Sequence, residues 1–319
     1  MARVAIVGAG VAGLRCAQGL REQGIQARVF EKSRGLGGRL ARRQYPWGSV
    51  DIGAPLLTVN TPPADWSPLV AQGQVIRQRF RCARWQLSGF EPLPDQQYYI
   101  ATPSNNQLCH YLADGVEIQR NCRVGRIQQG RLFDEQGQAL GEFDAVILTA
   151  PAPQSRALLP EDSSLLPDDE PWQPGWTLLL QFETALALAD IVEFADHPLF
   201  SRLVHLSALE GRSHRGCYSL QLSAAASAWL RKTGDEQGLA QCLSALAEIV
   251  EVPPLLHWGR QGWQLLDGKT MQLRDDRRVD HHQRIVLAGD WCAGGGVEGA
   301  WRSAALALAQ VAQWQAGRH

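Results

Sequence analysis

The sequence predicts a mixed α/β chain of two domains, one of them built on a parallel sheet. Three observations carry this reading. A length of 319 residues suits about two domains at roughly 150 residues each. Both ends hold short, almost wholly apolar runs, Ala2 to Val7 and Arg284 to Ala288, of the kind found in strands buried on both faces. Each run stops at glycine and leads into a helical pattern.

With 45% hydrophobic and 20% charged residues, the composition is that of an ordinary globular protein with a sizeable core. Lys plus Arg number 31 against 32 Asp plus Glu, so no global field draws in nucleic acid or an anionic membrane. The seven cysteines are widely spread with no C-x-x-C pair, which fits a reducing cytoplasm and offers neither a zinc nor a redox motif. The longest uninterrupted apolar stretches, such as Thr177 to Leu180 and Leu186 to Ala189, fall far short of the ~20 residues of a membrane helix. Met1 to Leu14 opens like a leader, with Arg3 before small and apolar residues. Its spaced glycines and the amphipathic helix behind them argue for folded structure instead.

The first strand runs straight into Gly8-Ala9-Gly10-Val11-Ala12-Gly13, a G-x-G-x-x-G in the strand-to-helix position that its chemistry requires. Gly8 allows the tight turn, Gly10 lets a pyrophosphate approach the backbone, and Gly13 lets helix and strand pack closely. The start of the helix, Val11 and Ala12, then faces phosphate charge. Leu14, Ala17 and Leu20 recur at helical spacing until Gly24, and Ala27 to Phe30 reads as a second strand. Glu31 closes that strand, where a carboxylate accepts hydrogen bonds from a ribose hydroxyl. The unit is a complete Rossmann-like strand, helix and strand.

Next comes Lys32-Ser33-Arg34-Gly35-Leu36-Gly37-Gly38-Arg39, which a simple nicotinamide dehydrogenase has no reason to carry. It reads as a second phosphate grip. Lys32 and Arg34 supply charge, Gly38 lets the loop lie against a dinucleotide, and Arg39 offers a planar fork.

At this point the chain resembles the flavin-containing amine oxidase superfamily, and more closely its renalase-like bacterial branch. The fingerprint, Glu31, the R-G-x-G-G-R motif and the D-x-G-A at Asp51-Ile52-Gly53-Ala54 carry the likeness. The resemblance implies FAD, with Gly53 and Ala54 among its contacts, and the flavin is expected to be held non-covalently, Cys292 near the expected ring region being read as a packed residue. It also implies a Rossmann-like FAD-binding domain with a β-meander crossover and a second, α+β substrate domain, as in p-hydroxybenzoate hydroxylase and amine oxidases. The expected FAD-binding domain is discontinuous, 1–54, 104–151 and 275–319, with 55–103 and 152–274 forming the substrate domain.

Val116 to Ile118, Cys122 to Ile127, Arg131 to Phe133 and Asp144 to Thr149 read as four strands. The last has the character of a central parallel strand and ends at Ala150 and Pro151. The resemblance places backbone at Val124 against the adenine and Ala150 beside the cofactor. After the C-terminal strand come Gly289-Asp290-Trp291-Cys292, a glycine triplet, Val297-Glu298-Gly299-Ala300 and a helix to about Gln315. By the same resemblance Asp290 caps a ribityl or pyrophosphate group, and the last helix aims its N-terminus at the flavin ring, where its positive end favours an anionic reduced ring.

Only one Rossmann fingerprint is present, so electrons are expected from a small molecule bound over the flavin. The intervening segments hold Trp66, Trp85, Trp172, Trp176, Trp229, Trp258 and Trp263, which make an aromatic-walled pocket an expectation, although any one of them serves a core equally well. Gln173 to Phe182 reads as a strand, Ala224 to Leu230 and Leu239 to Ile249 as helices, and Glu161 to Glu170 as a solvated connector. Asp275, Asp276, Asp280, His281 and His282 match no metal spacing and read as a polar turn. No metal is expected.

The substrate side departs from the renalase-like pattern. Pro55 and Leu56 follow D-x-G-A in place of Gln and an aromatic residue, Asn105 falls in a stretch that relatives fill differently, Gln221 stands at a histidine position, and Gly296 replaces an arginine. Gln221, Arg260, Trp258 and Trp263 are the candidates for positioning substrate. The resemblance to the renalase-like branch implies hydride transfer onto FAD from an isomeric reduced nicotinamide or similar planar reductant, with electrons passing to O2 to give H2O2. Amine oxidation and a flavin-binding protein with a degenerate substrate site are the alternatives. Lysine, which amine oxidases usually place near the flavin, occurs only at Lys32, Lys232 and Lys269.

Overall fold

A computed structural model describes residues 3–160, 163, 165, 172–267 and 275–317. In the N-terminal third, β1 (Arg3–Val7) and β2 (Gln26–Phe30) flank the helix Val11–Glu22. A short hairpin, β3 (Arg42–Tyr45) and β4 (Gly48–Asp51), and a long one, β5 (Val75–Gln86) and β6 (Gly89–Ala101), follow. Then come β7 (Glu117–Gln119), β8 (Val124–Gln128), β9 (Arg131–Asp134), β10 (Ala139–Glu142) and β11 (Ala145–Leu148). The second half contributes β12 (Gln173–Phe182), β13 (Ile191–Phe194), β14 (Phe200–His205), β15 (Cys217–Leu222) and β16 (Leu255–Asp267). The chain closes with β17 (Val279–Asp280), β18 (Ile285–Leu287) and the helix Gly296–Ala316.

One sheet has the order β17-β18-β11-β1-β2-β7 and is parallel except for the edge strand β17. The two ends of the chain therefore meet within it, with β11 lying between β1 and β18. Val4, Ala5, Ile6, Val146, Ile147, Ile285 and Val286 are wholly buried, as strands covered on both faces require. The helices Val11–Glu22 and Gly296–Ala316 pack in one core on one face. The antiparallel meander β8-β9-β10 covers the other, with Phe30, Val124, Ile127 and Phe143 in its core. This is the crossover expected from the sequence, although β8 starts at Val124 because the Cys122 amide is spent on the Glu31 carbonyl at 2.9 Å.

A second, mostly antiparallel sheet has the order β16-β12-β15-β14-β13-β5-β6. Strand alternation gives it two faces. Leu178, Leu180, Tyr218, Leu220 and Leu222 point toward the helices Ala224–Leu230 and Asp235–Ala247. Leu179, Val204, Cys217 and Ile191 point the other way and bury Val50, Ile52 and Leu56 of the short hairpin and its exit. The hairpin thus fastens the two sheets together.

Two expectations change here. The connector Glu161 to Glu170 lies outside the described residues except for Ser163 and Leu165, and both of these are buried, so it is not wholly solvated. In the polar turn, Asp280 is buried and accepts hydrogen bonds from the Gln283 amide and the Ser163 hydroxyl, while His281 bonds Trp314. No helix among the described residues is long and apolar enough to cross a membrane.

Candidate functional site

Gly8 has φ 108°, which glycine alone adopts readily. Gly13 is tighter still: a Cβ there would lie 2.0 Å from the Gly8 carbonyl oxygen, so helix and strand touch backbone to backbone. Gly10 differs. Nothing lies within 4 Å of its would-be Cβ, and its φ of −84° suits any residue. No contact among the described residues calls for glycine there, and the open space beside it would admit a pyrophosphate. Gly10 caps the first helix without a side-chain acceptor, and the first turn, with buried Val11 and Ala12, holds no acid. Its amide donors and the positive end of its dipole are left for an anion.

Glu31 is buried at the tip of β2. Its carboxylate accepts from the amides of Ala9 at 2.8 Å and Ser33 at 2.7 Å, which fixes it beside the fingerprint loop. The segment leading to Val124 runs alongside, since the Asn121 amide donates to the Ser33 carbonyl. Lys32 and Arg34 lie exposed on this loop, and Lys32 donates to Gln154 at 3.3 Å.

The second glycine loop packs against the first. The Gly37 amide donates to the Ala9 carbonyl at 2.9 Å, and a Cβ on Gly38 would lie 3.4 Å from Gly10 Cα. Arg39 pairs with Asp290 through Nη2 and reaches the Leu266 carbonyl at 3.4 Å through Nη1. The two residues expected to grip the cofactor separately thus form one bridge between the start and the finish of the chain. Gly53 is required by contact, because a Cβ there would lie 2.0 Å from the Arg39 carbonyl oxygen, to which the Ala54 amide donates at 2.8 Å.

Behind that turn lies a buried polar knot. Asn105, fully buried, donates from Nδ2 to the Ala54 carbonyl at 3.0 Å and accepts at Oδ1 from the Ala101 amide at 2.9 Å and Arg212 at 3.2 Å. Arg212 pairs with Asp51 at 2.7 Å, the two side chains being 6% and 3% exposed. Burial pushes the Asp51 carboxyl up against the pull of Arg212. The departure at Asn105 is therefore a structural anchor for Gly53 and Ala54. Arg212 carries no motif that could have disclosed it.

At the far end, the Ala150 carbonyl accepts from Trp291 Nε1 at 3.1 Å, and the Gly289 amide donates to Ser303 at 2.9 Å. A Cβ on Gly299 would lie 2.9 Å from the Asp290 carbonyl oxygen, so the last helix starts hard against this turn. Val297 and Ala300 face the same core as the fingerprint helix. Glu298 is held by the chain itself, accepting from the Asn60 amide and Arg302, both at 2.9 Å. An uncapped helix end, an open cradle at Gly10, a fixed carboxylate at Glu31 and a cationic bridge at Arg39 fit an extended FAD.

Cys292 is 2% exposed and burial pushes its thiol well above the usual value, so it is no nucleophile. Acid precipitation of the yellow protein is expected to leave all flavin in the supernatant, and colour retained in the pellet would contradict this.

The register of the second sheet separates the four positioning candidates. Gln221 opposes Thr177, which opposes Gln261 of β16. By alternation Trp263 shares their face, the one that meets the hairpin. Trp258 and Arg260 oppose Leu180 and Leu178 on the other face. Trp258 packs toward the helices, while Arg260 pairs with Asp235 at 2.5 Å and lies 4.6 Å over the Trp176 ring. The aromatic wall is corrected likewise. Trp85, Trp176 and Trp229 pack on the helix side, Trp172 packs against the meander core, and Trp66 stands edge-on to Tyr99 and Trp301. On the hairpin side the sequence reading missed Arg43, which donates to Gln261 at 2.7 Å, and the stack of Tyr45 on Trp47 and Trp47 on His257. The signal that could have found them is the close sequence of basic and aromatic residues at Arg42, Arg43, Tyr45 and Trp47.

Comparison with known proteins agrees with this architecture. The family model of flavin containing amine oxidoreductases matches residues 82–312, and that of an NAD(P)-binding Rossmann-like domain matches residues 6–72. A zeta-carotene-forming phytoene desaturase of Myxococcus xanthus is 47% identical over 51 residues, a match covering 16% of this chain and only 10% of that relative. Among solved structures, one assigned as a protoporphyrinogen oxidase from Exiguobacterium sp. 255-15 superposes with a TM-score of 0.80 at 14% identity, covering 97% of this chain and 98% of the other. Cyclohexylamine oxidase from Brevibacterium oxydans gives 0.75 at 12% identity, with 98% and 99% covered. At such identities the likeness is one of fold. Since the oxidoreductase model spans well over half of the chain, the protein belongs to the flavin-containing amine oxidoreductase family, and its cofactor is FAD.

Proposed function

We propose that this protein is an FAD-dependent oxidase that takes a hydride from an isomeric reduced nicotinamide or a similar planar reductant. The overall change is reductant plus a proton and dioxygen to oxidised reductant and hydrogen peroxide. Bound FAD supplies the two-electron acceptance and the return of electrons to O2.

The observation that carries this reading is the chemistry of the sheet face at its centre. Gln261, Thr177 and Gln221 stand side by side on three adjacent strands, with Gln261 accepting from Arg43, and none of the three is an acid or base near neutral pH. A hydride donor needs orientation rather than a base, and neutral amides and a hydroxyl orient a planar carboxamide-bearing ring well. Gly8, Gly10, Gly13, Glu31, Gly38 and Arg39 are assigned to the adenine and pyrophosphate half of FAD, with Val124 backbone at the adenine. Gly53, Ala54, Ala150, Gly289, Asp290 and the start of the last helix take the ring half. Residues 1–54, 104–151 and 275–319 then form the cofactor domain, and 55–103 and 152–274 the substrate domain.

Stopped-flow mixing with α-NADH and 6-dihydro-NAD is expected to bleach the flavin faster than β-NADH does. Equal rates for all three would remove the substrate assignment. Amine oxidation is the second reading, favoured by the likeness to cyclohexylamine oxidase. Peroxide release from primary amines or polyamines, without bleaching by nicotinamides, would select it.

A further inference from the structure

Along the same face, beyond the apolar core that buries the hairpin, lies a cleft of about 620 Å³ lined by Arg84, Gln86, Glu193, Arg202 and Gln221 among others. That volume is typical of sites for small molecules. The register explains the lining: Gln221 opposes Arg202, Arg202 opposes Glu193, and Glu193 opposes Arg84. Adjacent strands thus deliver one polar row in continuation of Gln261 and Thr177.

The carboxylates in this row gather at Arg84, which Glu193 and Glu91 oppose from either side, and not at Arg202. Glu193 lies 3.8 Å from Arg84, and among the described residues no carboxylate lies within ion-pair distance of Arg202. Arg202 Nε is buried and has no acceptor among the described residues. Its Nη2 has the Tyr98 hydroxyl at 3.3 Å, and its guanidinium carbon sits 5.8 Å over the Tyr98 ring. Burying a donor without an acceptor costs free energy, and a guanidinium is built to satisfy several donors at once on two oxygens of one anion. Stacking on Tyr98 holds that fork in place. Gln86 already donates to Glu91 at 3.2 Å, which leaves the Gln221 amide as the neutral donor closest to Arg202 in the row.

We propose that Arg202, with Arg84 and Gln221, forms a subsite for an anionic group of the substrate, a carboxylate or a phosphate. This deepens the oxidase reading and rests on it: the reacting ring lies toward the neutral centre of the sheet, and the substrate carries negative charge at its other end. Of the carboxylates near this cleft, Glu193 faces Arg84 and Glu91 opposes Arg84 and accepts from Gln86, so both are already engaged.

The test is calorimetric titration of the FAD-loaded protein with inorganic phosphate and, separately, with succinate. Saturable binding of at least one anion is expected, weakened tenfold or more in Arg202→Gln, partly restored in Arg202→Lys, and unchanged in Arg79→Gln, whose side chain pairs with Asp95. Preference for phosphate identifies a phosphate-bearing substrate, and preference for succinate a carboxylate. Binding of neither anion by the parent protein overturns the proposal, as does unchanged binding in a folded Arg202→Gln. Should that variant not fold, Arg84→Gln decides: weakened binding supports the subsite, and unchanged binding overturns it. FAD retention and the visible spectrum are expected to stay as in the parent. If anion binding depends on Arg202 but no nicotinamide bleaches the flavin, the substrate reading falls while the subsite stands; bleaching without anion binding gives the reverse.

Discussion

Gly10→Val is expected to give a folded protein that no longer holds FAD, whereas Gly13→Val is expected not to fold. The two glycines share a motif and a helix, yet their surroundings differ. A Cβ at Gly13 would sit 2.0 Å from a main-chain carbonyl oxygen that cannot give way, so the helix would have to leave the sheet. A Cβ at Gly10 meets nothing within 4 Å and its backbone is in an ordinary region, so the chain alone tolerates the change. What the valine occupies is the space for the pyrophosphate, where several charge-assisted amide bonds would be lost. At ~1.5–3 kcal/mol for a hydrogen bond to a charged group, losing two weakens FAD on the order of 100-fold or more. Quenching of free FAD fluorescence measures the affinity, and the melting temperature of the cofactor-free protein measures the fold. A Gly10→Val protein that stays yellow through dialysis would show that the cradle lies elsewhere.

The sequence made the cofactor half legible because its chemistry is local. A strand, three glycines and a terminal carboxylate must follow one another for a phosphate to meet a helix end, so Gly8 to Glu31 could be read in order. The expected strand Gln173 to Phe182 matches β12 residue for residue. The substrate half depends instead on which strands become neighbours. Trp258 and Arg260 stood in the right segment, but the pairing Leu178 with Arg260 turns both toward the helices, and one residue of register decides this. Arg202 was invisible for the same reason. Nothing in Phe200 to His205 tells that its arginine lies beside Gln221 until β14 and β15 pair. Asn105 was noticed only as a departure, and its role emerged once Ala54, Ala101 and Arg212 surrounded it.

Arg212→Met is expected to destabilise the protein by about 3–5 kcal/mol, the usual cost of leaving one member of a buried ion pair alone. Asp51 would keep a carboxyl that is 3% exposed with only the weaker pull of Arg42 left among the cations that favour its charge. In the parent protein burial already holds this carboxyl above its ordinary value despite Arg212. A group whose folded pKa is raised contributes stability that is complete below the unfolded carboxylate range and is lost as pH rises through the folded value. Removing Arg212 takes away the largest lowering influence, so that loss becomes larger and reaches to higher pH. Urea unfolding at pH 5 and pH 8 is therefore expected to show a greater penalty for Arg212→Met at pH 8. Adding Asp51→Asn should recover part of the stability at pH 8 and flatten the dependence, because the double variant has no buried charge left to neutralise. A penalty equal at both pH values would mean that Asp51 is not the group left stranded. The same knot carries the Asn105 bond to the Ala54 carbonyl, so Arg212→Met should also loosen the turn after Asp51. FAD bound by this variant is expected to show a shifted visible band and faster release, while Asp51→Asn with Arg212 intact keeps Asn105 in place and should disturb the spectrum less.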